Sequence, residues 1–194
     1  MDNSLIMRID TPYVLNYLIY LQNIYLNQKQ REEQLKFPYF SEMIMFNANF
    51  EMQFKELWDD VLNRISRDEG NSIDIKIFHE ESYLFYKKLL IHNSDSLKIY
   101  NEIYKGFRVW WSSLAGSFSV ERSIDDPSNH LYDELTNYLR KNEIEPKKQL
   151  NISLIYDECL LANTGGYSYS AVHSIKDFIV NKEELLLKLQ NCIC

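Results

Sequence analysis

The sequence predicts an all-α protein, a single-domain bundle of about seven or eight helices with short loops over residues 1–194. Three observations support this fold class. Apolar residues recur at steps of three and four along most of the chain, which is the period of a helix with one buried face. Only 5 Gly and 4 Pro occur, whereas a β-sandwich or barrel needs a turn about every 8–12 residues. Hydrophobic residues make up 45% of the chain and charged residues 25%, as in ordinary globular domains.

Prolines bound the first two predicted helices. Thr11-Pro12 is an N-cap followed by proline at the first helical position, which predicts a first helix over 12–36. Its first half is apolar on almost all sides, as in a central helix, and its second half is polar and expected to be exposed. Phe37-Pro38 ends it, and a second helix is predicted over 41–67 with Ser41 as its cap. The apolar face of that helix comprises Phe50, Phe54, Leu57, Trp58, Val61, Leu62 and Ile65.

The segment 73–77 (Ile-Asp-Ile-Lys-Ile) can form a strand or a helix. It alternates like a strand, but apolar residues continue beyond it at helical spacing, and no second convincing strand pairs with it. The sequence therefore favours a third helix over 74–92. A fourth helix begins at Ser94 or Asp95. Its buried stripe comprises Leu97, Tyr100, Ile103, Tyr104, Phe107, Trp111, Leu114 and Phe118.

The remainder of the chain predicts four more helices. Asp126 is interpreted as a cap, and with Pro127 after it a fifth helix begins. The polar stretch 145–149 connects this helix to the next element. A sixth helix is predicted over 150–162 and a seventh over 168–180, with a glycine pair between them. A capping box at Asn181 and Glu184 predicts a short terminal helix over 182–190.

Charge and cysteine content exclude several classes of partner. The chain carries 21 basic and 28 acidic residues, a net charge of −7, and its basic clusters are only pairs, so binding to nucleic acid or to an anionic membrane is not expected. Its most apolar window is shorter than the roughly 20 residues of a membrane span, and the first residues do not resemble a secretory signal. The 3 cysteines do not form a disulfide framework. A cytoplasmic location is therefore expected.

Arg108, Trp110 and Trp111 are the predicted partner-binding residues. Neighbouring helical side chains diverge by about 100°, so one indole can enter the core while the other lies at its edge. A half-exposed tryptophan beside an arginine has the composition of a binding hot spot. The alternative is that both rings simply fill a large core.

The turn Thr164–Ser170 is the predicted location of a small-ligand site. Its glycines are expected to precede a helix, and main-chain N–H groups at a helix N-terminus can hold an anion. The candidate ligand-binding residues are Gly165, Gly166, Ser168, Ser170 and His173. Ser170, His173 and Asp177 would also share one helical face, but catalytic triads are assembled from separate segments. No catalytic residue is therefore predicted.

Asp126, His130 and Glu134 are the densest set of metal-ligand types in the sequence. Spaced one turn apart on the fifth helix, they could present ligands to a divalent ion. However, metal sites of helical bundles need a second ligating helix, typically with Glu-x-x-His, and the chain has no such motif. Acidic residues in the first turn of a helix are also favoured by the helix dipole. The sequence therefore predicts no metal and no cofactor.

These observations favour a non-enzymatic, cytoplasmic protein-binding module of the inhibitor, immunity or adaptor type, which uses an acidic, aromatic-bearing helical surface. A small-molecule or anion-binding domain at the Thr164–Ser170 turn is the second hypothesis. A metal-dependent hydrolase is the third. A protein partner is expected, and self-association into a homo-oligomer is left open.

Overall fold

A computed structural model describes residues 5–29, 35–67, 72–164 and 168–193. These residues are mostly helical and also form a small three-stranded parallel sheet. The high helix content is confirmed, but the all-α class is wrong in its strict form. In chain order the elements are β1 (Met7–Asp10), α1 (Tyr13–Lys29), α2 (Phe50–Ile65), α3 (Ser72–Glu80), α4 (Ser82–Leu89), α5 (Ser94–Trp111), a π-helical turn (Leu114–Phe118), α6 (Ser119–Arg122), α7 (Asp125–Lys141), β2 (Leu150–Ile155), β3 (Ser170–Ser174), α8 (Ile175–Ile179) and α9 (Lys182–Ile193).

The chain divides into two compact units. The sheet unit comprises Met1–Pro12, Leu114–Glu158 and Thr164–Cys194. The helical unit comprises Tyr13–Ser113 and Cys159–Asn163. The expectation of one domain over 1–194 stays a prediction. Among the residues described above, no helix is both long enough and apolar enough to cross a membrane.

The sheet unit corrects two of the predicted helices. Its strands lie in the order β1-β2-β3 and are parallel, with Met7 opposite Leu150 and Asn151 opposite Ser170. The predicted sixth helix over 150–162 is wrong, because it begins with β2 and continues without helix. The predicted seventh helix over 168–180 is wrong in its first half, which contains β3. β2 has six residues and β3 has five, and periodicity alone does not distinguish segments of this length from helix.

The helices of the sheet unit agree better than its strands with the elements predicted from the sequence. The predicted fifth and terminal helices are confirmed as α7 and α9, each with one buried apolar stripe. These stripes are Leu131, Leu135 and Leu139 on α7, and Leu185, Leu189 and Ile193 on α9. Helix α7 begins at Asp125, and no side chain caps its first turn, so the interpretation of Asp126 as a cap is wrong.

The helical unit is built around α1. Every residue from Val14 to Tyr25 is buried, which confirms the prediction of a central helix. The first turn of any helix leaves main-chain N–H groups without a partner inside the helix. Here the buried carboxylate of Asp74 on α3 accepts from two of them, Tyr13 N at 2.8 Å and Val14 N at 2.9 Å. The negative charge also lies where the dipole of α1 favours it.

Several boundaries in the helical unit differ from those predicted. The first helix was predicted to reach 36, but residues 35 and 36 are not helical, and α1 ends at Lys29. Helix α2 begins at Phe50 rather than at 41, because residues 35–49 are not helical. The segment 73–77 is helical, as favoured, but the predicted third helix divides into α3 and α4 at Glu81. The Glu81 carboxylate accepts two hydrogen bonds from the Arg64 guanidinium, at 2.6 and 2.8 Å. These bonds anchor the break between α3 and α4 to α2.

The fourth predicted helix, α5, also differs at both ends. The side chain of Asn93, not Ser94 or Asp95, caps it by accepting from Ser96 N at 2.8 Å. It ends at Trp111 rather than at Phe118, and Gly116 beyond it has a non-helical backbone with ψ −125°. Leu114 and Phe118, which were predicted to lie on the buried stripe, are therefore exposed.

The core of the helical unit is largely aromatic. The predicted buried face of α2 is confirmed for Phe50, Phe54, Leu57, Trp58, Val61 and Leu62. At the centre, the ring of Tyr17 on α1 contacts Phe78, Phe85, Tyr100, Tyr104 and Phe107. Aromatic pairs in edge-to-face geometry add to the free energy gained from burial. The chain has 14 tyrosines, and packing of this kind explains part of that abundance.

Candidate functional site

The connector between α1 and α2 carries several large apolar side chains that are exposed. Its described part, residues 35–49, has no helix, and uninterrupted connections of this length in compact domains are uncommon and often functional. Tyr39 is 65% exposed and Met43 is 78% exposed. We call the whole set the apolar strip. It comprises Leu35, Phe37, Tyr39, Met43, Met45 and, at the start of α2, Met52.

Amide side chains of α1 hold the first part of the connector in place. The Nδ2 group of Asn27 donates to Lys36 O at 2.7 Å and to Pro38 O at 2.9 Å, and its Oδ1 accepts from Lys36 N at 2.7 Å. Asn23 Nδ2 donates to Phe37 O at 2.8 Å. The polar second half of α1 was expected to be exposed. Instead, its first residues satisfy main-chain groups that an irregular segment cannot pair by itself.

The second part of the connector is held at two further places. Gln28 Nε2 donates to Glu42 O at 2.9 Å. Downstream, Ile91 N donates to Met45 O and Asn47 N donates to Leu89 O, each at 2.9 Å, in a short antiparallel bridge. The strip therefore lies on a backbone fixed at several points, and this backbone needs little reordering when a partner binds.

Trp110 supports one end of the apolar strip. Its ring lies 4.8 Å from that of Phe37 and 5.9 Å from that of Tyr20, measured between centroids. Trp110 is half-buried, Arg108 is exposed, and Trp111 is fully buried. The two indoles thus divide between edge and core. The role of Arg108, Trp110 and Trp111 in partner binding stays a prediction, and burial limits Trp111 to supporting the others from below.

Replacing Asn27 by Ala is expected to loosen the connector. Three hydrogen bonds to part-buried main-chain groups are lost, so the free energy of opening this segment falls by about 1–3 kcal/mol. Trypsin should then cut after Lys36 about tenfold faster or more, because cleavage follows the open population. Asn101→Ala, at an exposed position of α5, serves as the control and should leave the rate unchanged. Equal cleavage of all three proteins would contradict the role given to Asn27.

The predicted small-ligand residues are not brought together by the part of the chain that the structure describes. Gly165 and Gly166 lie outside the described residues. The element after the turn is β3 rather than a helix, so the premise of an anion at a helix N-terminus is wrong. Ser168 is exposed before β3, Ser170 is buried at its start and His173 is buried near its end. Ser170 and His173 point to opposite faces, because strand side chains alternate. A ligand at this turn stays a prediction.

His173 instead takes part in the junction between β3 and α8. Its Nδ1 lies 3.5 Å from Asp177 Oδ2, which also accepts from Ser174 N at 2.9 Å and from Ser174 Oγ at 3.0 Å. Burial opposes ionisation of the Asp177 carboxyl, but the contacts with His173, Ser174 and Asn181 outweigh burial and hold its pKa well below the usual value. The charged form of Asp177 is therefore part of the native structure.

The sheet unit is expected to lose stability in acid partly through Asp177. A carboxyl whose pKa is lower in the folded than in the unfolded state stabilises the protein above its unfolded pKa of about 3.9, and this contribution disappears as pH falls below that value. Urea unfolding from pH 6 to pH 3 measures it, with Asp177→Asn for comparison. The wild-type protein should be the more stable at pH 6, and the difference should shrink towards pH 3. A difference independent of pH would contradict this role of Asp177.

The remaining predicted cluster lies on the exposed side of α7. Asp126, His130 and Glu134 are all exposed, on the opposite side from the buried leucines of that helix. Over residues 5–29, 35–67, 72–164 and 168–193, no group of three or more His, Cys, Asp or Glu side chains is placed to hold a metal ion.

The apolar strip was missed by the sequence analysis, although two signals for it are present. Phe37-Pro38 disfavours helix at this point, and six large apolar or aromatic residues follow within 39–46. Assigning 41–67 to one helix concealed the second signal. Comparisons of the chain with protein-family models, with curated proteins and with solved structures find no match.

Proposed function

We propose that the protein is a cytoplasmic, non-enzymatic protein-binding module that holds its partner on the apolar strip. One observation carries the proposal: large apolar side chains of 35–52 are exposed on a backbone held by hydrogen bonds. Exposed apolar side chains that are grouped, rather than scattered singly, are typical of interaction surfaces. The partner is expected to present an apolar face of its own.

The composition of the strip supports this function. Aromatic residues and methionine are enriched in protein interfaces, and the strip consists mainly of these types. The flexible thioethers of Met43 and Met45 can adapt to the shape of a partner. Trp110 supplies a rigid aromatic base beneath Phe37, and the exposed guanidinium of Arg108 is available for a polar contact at the rim.

Affinity capture with matched variants tests this function. The wild-type protein, a Tyr39→Ser/Met43→Lys variant and a Leu187→Lys control are immobilised and exposed to lysate of the source cells. Leu187 is also a highly exposed apolar residue, but it lies on α9 of the sheet unit. We expect a protein that is retained by the wild type and by the control, and that is retained about tenfold less by the strip variant.

The result depends on the strip variant remaining folded. Tyr39 and Met43 are so exposed that their replacement should change stability by no more than about 0.5 kcal/mol, which urea unfolding verifies. If no protein is retained, or if the same proteins are retained equally by all three forms, the proposed function is wrong.

A further inference from the structure

The two edges of the sheet are covered to different extents. All five residues of β3 are buried, and Tyr169 N, just before this strand, donates to Cys192 O of α9 at 3.0 Å. All four residues of β1 are only half-buried, and Ile6 beside them is highly exposed. The open edge of the sheet is therefore β1.

The main-chain groups on the open edge can be identified from the register. Leu150 N donates to Ile6 O at 2.8 Å, and Met7 lies opposite Leu150 in a parallel pair. In such a pair alternate residues bond to the neighbouring strand. Arg8 and Asp10 therefore direct their N–H and C=O groups to β2, whereas Met7 and Ile9 direct theirs outward. None of the described residues forms a main-chain hydrogen bond with these outward groups of Met7 and Ile9.

We propose that β1 pairs antiparallel with β1 of a second copy of this chain, about a two-fold axis at Ile9, so that two sheets become one. In this register Ile9 faces Ile9 of the second copy. Because Ile9 carries outward main-chain groups, this pair can exchange two hydrogen bonds across the axis. A two-fold contact of this kind is self-complementary and closed.

The charges on β1 select this register. With the axis at Ile9, Arg8 of each copy lies directly opposite Asp10 of the other, in a pair whose side chains are close. Moving the axis by one residue would place Arg8 against Arg8 or Asp10 against Asp10, and like charges directly opposite each other are unfavourable. Within one chain Nε of Arg8 contacts Oδ2 of Asp10 at 2.8 Å. A guanidinium carries five N–H donors, so its Nη groups can also donate to the carboxylate of the second copy.

This contact is independent of the apolar strip, which belongs to the helical unit. Arg8 and Asp10 are partly exposed, so salt should weaken their attraction across the axis. The pairing is also short, and we expect a dimer that dissociates on dilution.

Charge exchange between the two positions tests the proposal. Sedimentation equilibrium is measured for the full chain, for Arg8→Asp, for Asp10→Arg and for the double variant. The wild type should dimerise with rising concentration, and each single variant should raise the dissociation constant about tenfold or more, because like charges then face each other. The double variant should return to within a few-fold of the wild type, because Asp at position 8 then faces Arg at position 10. Single variants that dimerise like the wild type, or a double variant that stays monomeric, would overturn the proposal.

A proline at position 9 provides a second test. Because Ile9 N points away from β2, Ile9→Pro removes a donor of the open edge without removing a bond between β1 and β2. The variant should be monomeric, with the circular dichroism spectrum of the wild type confirming its fold. A dimer in this variant would mean that another surface holds the copies together. If the wild-type protein remains monomeric up to about 1 mM, the pairing of two copies through β1 is wrong. The open edge would then be available to a strand of another protein.

Discussion

Trp58→Ala is expected to lower the free energy of unfolding by about 3–5 kcal/mol. The indole is fully buried on α2 and stacks on Phe54, with ring centroids 6.1 Å apart. Its Nε1 donates to Asn163 O at 3.1 Å, which connects α2 to the short segment 159–163 of the same unit. Truncation to alanine removes the apolar contacts, leaves a cavity and breaks this hydrogen bond. All three effects destabilise the native state.

Two comparison variants separate these effects. Trp58→Phe retains most of the packing and loses the hydrogen bond, so its cost should be smaller, about 1–2 kcal/mol. Met52→Ala, at an exposed position of the same helix, should cost no more than about 0.5 kcal/mol. Urea unfolding measures all three. A cost near zero for Trp58→Ala would show that the face of α2 assigned to the core is not buried in the protein.

Trp111→Ala and Trp110→Ala are expected to differ clearly, although the residues are neighbours. Trp111 is fully buried and stacks on Phe107 at 5.6 Å, so its truncation should cost about 3–5 kcal/mol. Trp110 is half-buried beneath Phe37. Its truncation removes less contact area, and we expect the free energy of unfolding to fall by about 1–2 kcal/mol.

The functional effects of the two variants should be reversed. At temperatures where both proteins remain folded, Trp110→Ala should weaken retention of the partner, because Phe37 loses its support. Trp111→Ala should affect retention less. Equal and large losses of stability would instead place both indoles in the core and would remove Trp110 from the proposed surface.

Much of the helical unit could be predicted from the sequence because its signals are local. The recurrence of apolar residues on α2 and α5 identified their buried faces, and an apolar surface all round identified α1 as the central helix. The strands could not be found in this way. β1 has four residues, and it pairs with β2, which is far away in the sequence. A strand of this length carries too few residues for its period to be recognised.

The candidate site was only partly predictable, for a related reason. The divergence of adjacent helical side chains was enough to separate Trp110 from Trp111. The contact of Trp110 with Phe37, by contrast, depends on the path of the connector, and that path depends on amide groups from another part of the chain. Asn23 and Asn27 appear in the sequence as polar interruptions of a helix. Their function as hydrogen-bond partners of 36–38 is visible only when the fold is known.

Amide hydrogen exchange along the connector measures whether the apolar strip lies on a fixed backbone. Main-chain N–H groups with described acceptors, such as Lys36 N bonded to Asn27 Oδ1 and Asn47 N bonded to Leu89 O, should exchange at least about a hundredfold more slowly than in an unfolded chain. Asn27→Ala should remove the protection of Lys36 and retain that of Asn47. Exchange of both groups at the unfolded rate in the wild-type protein would mean that 35–49 is a loose loop, and would contradict a preformed binding surface.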